Sequence, residues 1–194
     1  MTGHKYDVSK AERLDDPQRQ LLIPSTKILQ DINPKSYEVW ADIGCGTGFF
    51  SIPLSGFAKK VYALDISIEM LENLKQKLLS STANNIELVQ SEESSLPLEN
   101  ESMDCVFLAF VAHEVNNPIE FFSEITRILK PGGRLTIVEF AKVESSYGPP
   151  LSHRLAPEQM DTWAFEVGLK KGQLWEWSRS IVGWEYLKTN AKEV

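Results

Sequence analysis

Residues 39–48 read VWADIGCGTG, and this stretch decides the fold of the chain. A short apolar run ends in Asp42, and three glycines follow at alternate positions, Gly44, Gly46 and Gly48. An apolar run, a glycine turn and a further apolar stretch predict a buried strand, a sharp turn and the start of a helix. Because glycine has no Cβ, its backbone can adopt a positive φ and lie against a ligand. The loop after the first strand of an open α/β sheet is also where such sheets bind cofactors.

The spacing of the glycines indicates which cofactor the loop holds. A dinucleotide loop has the pattern G-x-G-x-x-G, whose third glycine would stand at Phe49. Here the pattern is D-x-G-x-G-x-G, which resembles the first motif of the class I S-adenosylmethionine (SAM)-dependent methyltransferases. The resemblance implies that SAM is contacted by the loop residues Asp42, Gly44, Cys45, Gly46 and Gly48. The alternative for a lone glycine loop is a tight turn with no ligand.

A second apolar run, residues 61–65, ends in Asp65, about twenty residues beyond the glycines. An acid at the end of the second strand is expected to accept hydrogen bonds from both hydroxyls of a ribose. The alternative is an N-cap for the helix that starts near Ser67. The sequence DISIEML, which begins at Asp65, resembles the D-x-S-x-x-M-L stretch of the same family. Ile66 and Met70 are then expected to offer apolar and thioether surface to the adenine.

Two later stretches extend the resemblance. Residues 92–97, EESSLP, resemble the D-A-x-x-L-P stretch that follows strand three in this family. By that match Glu92 replaces the usual Asp that accepts from the adenine amino group, and Glu93 gives its backbone N–H to a ring nitrogen. The alternative is a solvated acidic loop. Residues 103–110, MDCVFLAF, resemble the F-D-x-V fourth strand, near whose end the resemblance places Ala109 in the cofactor site.

Strand-like and helix-like segments alternate along the chain, which predicts right-handed crossovers and a mostly parallel sheet. Residues 129–135, LKPGGRL, resemble the family's run before strand five, and two final segments predict a closing hairpin. We therefore predict an α/β, Rossmann-like doubly wound sheet of seven strands with an antiparallel last strand. The strands are expected at 37–43, 60–65, 86–90, 104–110, 134–140, 174–178 and 181–187, and the helices near 48–57, 67–79, 118–129 and 157–167.

The expected domain organisation is a single class I methyltransferase domain over residues 1–194. We divide it into an N-terminal helical cap (1–35), a SAM-binding core (36–140), and a substrate loop, helix and closing hairpin (141–194). A chain of 194 residues is long enough for one domain with a sizeable core. Neither an internal repeat nor a second domain is evident in the sequence.

The charge and amino-acid composition indicate which kinds of partner molecule this chain is expected to bind. The net charge is −7 and basic residues are not clustered, so we expect no nucleic acid partner. The first thirty residues mix charges throughout, and no apolar stretch approaches the roughly 18 residues of a membrane span, so we expect a cytoplasmic protein with no membrane partner. Cys45, Cys105 and the three histidines lack metal-site spacing, and a disulfide is not expected. A monomer and a homodimer both remain open.

A candidate proton acceptor follows strand four. Methyl transfer from SAM yields S-adenosyl-L-homocysteine (SAH), and the protein contributes alignment, exclusion of water and, for some acceptors, removal of a proton. His113, which is followed by Glu114, stands near the expected position of the methyl group, and histidine titrates near neutral pH. The alternative is a hydrogen-bonded framework residue or a residue of the adjacent pocket.

Two segments are expected to cover the substrate. One is the loop 142–157, in which Tyr147, His153 and Arg154 are the predicted substrate contacts, with Arg154 holding an anionic group in a fork. The other is the N-terminal region, where Tyr6, Arg13 and Arg19 are expected to help close the cofactor site. Both segments resemble those of small, type-11-like members of the family whose substrates are unassigned. The alternative for both is surface capping of the sheet edge.

The function predicted from the sequence is SAM-dependent methyl transfer to a small-molecule acceptor. A protein or RNA methyltransferase is one alternative, although the N/D-P-P-[YF] signature of amino-group methylation is absent, since residues 109–112 read AFVA. A non-catalytic SAM-binding module is the other alternative. The sequence does not identify the acceptor or the atom that is methylated.

Overall fold

The computed structural model describes residues 14–189, and a seven-stranded sheet forms its centre. The strands, in chain order, are β1 (Val39–Ile43), β2 (Lys60–Asp65), β3 (Ile86–Gln90), β4 (Met103–Ala109), β5 (Leu129–Phe140), β6 (Leu169–Ser178) and β7 (Ile181–Lys188). The α-helices are α1 (Pro17–Leu22), α2 (Ser25–Ile32), α3 (Ser51–Leu54), α4 (Ile68–Leu78), α5 (Pro118–Ile128) and α6 (Pro157–Glu166). Short 3₁₀ turns lie at Ala112–Glu114 and Leu151–His153.

The strands are arranged in the order β3-β2-β1-β4-β5-β7-β6. Neighbours from β3 to β5 are parallel, whereas β7 is antiparallel to both β5 and β6. The predicted doubly wound sheet with an antiparallel last strand is therefore confirmed. β6 begins at Leu169, earlier than predicted, and α3 is much shorter than the predicted helix 48–57. A positive φ of 87° at Gly48 prevents helix there, and Pro53 lacks an N–H for the helical ladder.

The two faces of the sheet are covered by different helices. Trp40 and Phe107 are fully buried in a cluster with Ile28 of α2, whereas Ala41 and Val106, one residue away in each case, lie in a cluster with the α5 side chains. This alternation is the period of two that a strand imposes. It fixes β1 and β4 as the central strands, buried on both sides, as parallel sheets require.

The order of the strands reverses between β1 and β4, and the carboxyl ends of three strands meet there. Ile43, the last residue of β1, pairs with Leu64 of β2 and Leu108 of β4. The segments that follow these strands consequently lie together at one edge of the sheet, which is where open α/β sheets hold ligands. Within residues 14–189, no helix has the length and apolar character needed to cross a membrane.

Candidate active site

The glycine loop after β1 is held against β2 by its own backbone. The N–H groups of Gly44 and Cys45 both donate to the carbonyl of Leu64, at 2.8 and 2.9 Å. Gly44 has a φ of 71°, and a Cβ there would stand 2.4 Å from Cγ2 of Val111. A side chain at this position would strain the backbone and collide with Val111, so the loop needs glycine for its shape. Its exposed side faces a cavity.

Gly48, the third glycine of the motif, lies behind this loop, on the side that faces α4. Its φ is 87°, and a Cβ there would stand 2.3 Å from Cδ1 of Leu74 on α4. Gly48 is not among the residues that line the cavity. Gly48 thus has a packing role, in which the missing side chain lets α4 approach the loop, and its cofactor contact stays a prediction.

Asp65, at the end of β2, supports the same loop. One carboxylate oxygen accepts from the N–H of Gly46 at 2.8 Å, and the other accepts from the N–H of Ser67 at 2.9 Å. Burial raises the pKa of Asp65, although these backbone donors oppose the rise. The N-cap of α4 is Ser67, whose hydroxyl accepts from the N–H of Met70. Each oxygen of Asp65 keeps a lone pair for a ligand in the cavity, which Asp65 lines.

Asp42 is a deeply buried acid of the site. Its side chain is 2% exposed and accepts a hydrogen bond of 2.5 Å from the hydroxyl of Ser51. Burial raises the pKa of Asp42 to about 7; the bond from Ser51 opposes this rise, and the charge of Asp65 adds to it. A cation bound near Asp42 would stabilise the charged form of this carboxyl.

A cavity of about 1050 Å³ extends along this edge of the sheet. Most residues predicted from the sequence line it; besides those of the glycine loop these are Asp65, Ile66, Met70, Glu92, Glu93, Ala109, His113, Tyr147 and His153. Met70 is buried, and Ile66 is half exposed. Glu92 is exposed, whereas the carboxylate of Glu93 accepts from the N–H groups of Asn116 and Asn117, just before α5.

His113 lines this cavity and forms a buried pair with Glu139, which lies behind it. Nδ1 of His113 lies 2.9 and 3.0 Å from the two carboxylate oxygens of Glu139, and Nε2 lies 3.9 Å from Glu114. Burial alone would lower the pKa of His113, but the charge and hydrogen bond of Glu139 outweigh it, and the net shift is upward. Glu139 was not predicted from the sequence. Its signal is an acid within the apolar end of β5, beside the strand that leads to His113.

Aromatic side chains form the part of the cavity beyond His113. The ring centroids of Phe110 and Phe140 are 4.6 Å apart, Phe140 and Tyr147 are 5.8 Å apart, and Phe50 lies 6.4 Å from Phe110. All four rings line the cavity, and we call them the aromatic wall. Phe110 has a φ of 61°, a costly conformation for a bulky residue, and such strain is typical of functional sites.

Arg154 does not make the contact predicted from the sequence. Its side chain is 4% exposed, is not among the cavity-lining residues, and donates all five of its N–H groups to oxygens of residues 141–149. No donor is left for an anionic substrate, so the predicted fork is corrected to a role in folding this segment. His153, the preceding residue, lines the cavity, and its contact with a substrate stays a prediction.

Leu14 and Asp15, just before α1, lie against the glycine loop. The hydroxyl of Thr47 donates to Asp15 at 2.7 Å, and Lys77 of α4 donates to the carbonyl of Thr47 at 2.9 Å and pairs with Asp15. We call Asp15, Thr47 and Lys77 the strap contact. Arg19 stacks over the ring of Phe49, 4.1 Å from its centroid. The predicted contacts of Tyr6 and Arg13 lie outside the described residues.

Comparison with known proteins gives a consistent result. Residues 41–137 match the family described as "Methyltransferase domain". The crystal structure of a SAM-dependent methyltransferase from Aquifex aeolicus is 31% identical, with a TM-score of 0.90, over 95% of this chain and 100% of that chain.

Two curated relatives match a shorter part of the chain. A demethylmenaquinone methyltransferase of Oceanobacillus iheyensis is 36% identical over 114 residues, which is 57% of this chain and 48% of that protein. A ubiquinone/menaquinone biosynthesis C-methyltransferase of Hahella chejuensis is 38% identical over 105 residues, 52% of this chain and 42% of that protein. The chain thus spans about half the length of these relatives.

Proposed function

Because the chain belongs to the methyltransferase domain family and is a class I SAM-dependent methyltransferase, we propose that it methylates a small, largely apolar acceptor bound beside His113. The observation that carries this proposal is the continuity of the cavity. It runs from the glycine loop to the aromatic wall, and His113, which Glu139 contacts from behind, belongs to the same lining. A pocket of this kind suits a small molecule better than the surface of a macromolecule.

The lining of the cavity fits SAM. Asp65 is placed to accept from ribose hydroxyls, Ile66 and Met70 offer apolar surface for the adenine, and Glu92 offers an acceptor at its edge. Asp42 and the glycine loop would hold the charged amino-acid end. Carboxylates outnumber cationic groups along this lining, which matches a positively charged cofactor without phosphates. When bound, SAM supplies an activated methyl group on a positively charged sulfur.

His113 is proposed to take a proton from the acceptor. Glu139 accepts the Nδ1 hydrogen, which fixes the ring and leaves the Nε2 lone pair as the basic site. A carboxylate behind the imidazole also stabilises the imidazolium that forms when Nε2 is protonated. The aromatic wall on the same cavity would limit the access of water to the acceptor.

The chemistry of the acceptor follows from the same lining. The aromatic wall favours a flat, apolar group, since aromatic faces stack well against such groups. Demethylmenaquinone is the compound named in one relative, and a flat ring of that kind is compatible with this wall. We propose the class of acceptor, a small molecule with a flat apolar part, and leave the individual compound to experiment.

The proposal is tested by methyl transfer from SAM labelled in its methyl group. The full chain is incubated with labelled SAM and a cell extract separated into small-molecule, protein and RNA fractions. We expect label in an apolar small molecule, with SAH formed in equal amount. Label in the protein or RNA fraction would favour a macromolecular acceptor. SAH binding without any transfer would favour a non-catalytic module.

A further inference from the structure

The segment between β5 and the second 3₁₀ turn folds around a single side chain. The guanidinium of Arg154 donates to the carbonyls of Ala141 (3.1 Å), Val143 (2.8 Å), Tyr147 (2.8 Å) and Pro149 (3.0 Å), and to the hydroxyl of Ser145 (2.8 Å). These acceptors belong to alternate residues, 141, 143, 145, 147 and 149. The segment 141–149 therefore curves around the guanidinium, which satisfies backbone oxygens that neither helix nor sheet satisfies.

We propose that Arg154 is a positioning residue of the acceptor site, which holds segment 141–149 in the shape that makes Tyr147 and Pro149 part of the cavity wall. This inference rests on the proposed function, because it assigns the wall to the acceptor. Tyr147, Gly148, Pro149 and Pro150 all line the cavity. Arg154 itself stays behind them and acts through the segment that it folds.

Packing around Phe140 adds to this role. The guanidinium of Arg154 stands 5.4 Å from the centroid of the Phe140 ring. Gly148 reaches the same ring, since its φ is 92° and a Cβ there would stand 2.6 Å from Phe140. Segment 141–149 therefore packs against the ring of Phe140, which in turn contacts Phe110 within the aromatic wall.

Only an arginine can hold the segment in this way. Its planar group carries five N–H donors in fixed directions, and all five are used. A lysine keeps the charge but has three donors on one atom, so it would leave some of these carbonyls without a donor. Substitution of Arg154 by lysine therefore keeps the charge and removes the planar set of donors, whereas substitution by methionine removes both.

The charge of Arg154 also acts on His113. The charged groups that act on this imidazole are Glu139 on β5, Glu114 on its own 3₁₀ turn, and Arg154 beyond β5. Burial and Arg154 lower the pKa of His113, whereas the two carboxylates raise it. Removal of the guanidinium should raise the pKa of His113 further and keep it protonated to higher pH.

The test compares Arg154→Met, Arg154→Lys and the control Arg179→Met, which alters an exposed arginine in the turn between β6 and β7. Calorimetry measures the affinity for SAH, and then for 2-naphthol as a flat, uncharged probe in the presence of SAH. Proton NMR follows the titration of His113, which is assigned by its loss in His113→Asn.

We expect Arg154→Met to weaken 2-naphthol binding by about tenfold, because the wall must be ordered again on binding. SAH affinity should stay within about twofold, and the His113 midpoint should rise. Arg154→Lys should weaken the probe as well but leave the midpoint near that of the wild type. Unchanged probe affinity and an unchanged midpoint in Arg154→Met would overturn the proposal.

One further variant and the wild type cover the other outcomes. Gly148→Ala displaces the segment without altering Arg154, so it should weaken 2-naphthol binding and leave the midpoint nearly unchanged; it replaces Arg154→Met if that variant does not fold. If the wild type binds SAH but not 2-naphthol, the aromatic acceptor class is wrong, and the role of Arg154 in shaping an aromatic acceptor site fails with it. Failure of the wild type to bind SAH would contradict the proposed function instead.

Discussion

Nδ1 of His113 lies 2.9 Å from Oε1 and 3.0 Å from Oε2 of Glu139, the penultimate residue of β5. The pair joins two neighbouring parallel strands at their carboxyl ends, because His113 follows β4 and β4 pairs with β5. The backbone N–H of His113 also donates to Glu139, at 3.3 Å. Glu139 thus fixes both the ring and the backbone of the proposed proton acceptor.

The pH dependence of turnover should follow this pair. The pKa of His113 lies above its ordinary value of 6.5, and a base works only when it is unprotonated, so kcat should rise with pH through a midpoint above 6.5. Glu139→Gln removes the carboxylate that raises this pKa. The midpoint should therefore move to lower pH, while the maximal kcat falls by about 10- to 100-fold.

The control for this comparison is Glu158→Gln, in the exposed first turn of α6. We expect its pH–rate profile to match that of the wild type. A Glu139→Gln enzyme with the wild-type midpoint and maximal rate would rule out the pair as the proton acceptor.

Asp65→Ala should weaken the binding of both SAM and SAH. The lost charge-assisted hydrogen bonds cost on the order of 1.5–3 kcal/mol, and the N–H of Gly46 also loses its acceptor. Calorimetry on Asp65→Ala, with Asp31→Asn of the exposed face of α2 as control, measures the change. The wild type should not bind NAD appreciably. Equal affinities for SAM in Asp65→Ala and the wild type would reject the ribose role.

Cofactor binding should release a proton near neutral pH. The pKa of buried Asp42 is about 7, so the carboxyl is about half protonated at that pH, and the positive charge of SAM should favour its ionised form. Calorimetry at pH 7 in two buffers of different ionisation enthalpy should therefore show release of about half a proton per site. Asp42→Asn should abolish this release. Buffer-independent heats in the wild type would show that Asp42 does not sense the cofactor.

The strap contact of Asp15, Thr47 and Lys77 should slow the release of SAH. Lys77→Met removes a partly exposed ion pair and the donor to the Thr47 carbonyl, so stopped-flow measurements should show dissociation about two- to fivefold faster. Lys75→Met, an exposed position on the same helix, is the matched control. The difference should shrink in high salt, because exposed ion pairs are screened. Identical rates for both variants would contradict the strap.

Local motifs account for most of what could be predicted from the sequence. The glycine loop, Asp65 and the alternation of strands and helices follow from short patterns whose geometry is set within about ten residues. The motif predicts a cofactor contact for Gly48, as it does for Gly44 and Gly46, because the pattern does not distinguish the three glycines. The structure separates them, since the space at Gly48 is taken by Leu74 and not by the cavity.

Contacts between distant segments account for what could not be predicted. Glu139 meets His113 only because β5 lies beside β4, and a single acid within an apolar strand does not reveal its partner. Arg154 was expected to face a substrate because arginine often binds anions. Its direction is decided by the segment 141–149, whose backbone oxygens compete for the same five donors. The sequence alone does not distinguish these backbone oxygens from an anionic substrate as the acceptors.

The most direct test of the account is a crystal structure of the protein with SAH bound. We predict that the ribose hydroxyls lie within hydrogen-bond distance of Asp65, that the adenine contacts Ile66 and Met70, and that the sulfur faces the space between His113 and the aromatic wall. This arrangement would place the departing methyl group of SAM next to the proposed acceptor site. A sulfur directed away from His113, or an adenine seated against Phe110 and Phe140, would contradict it.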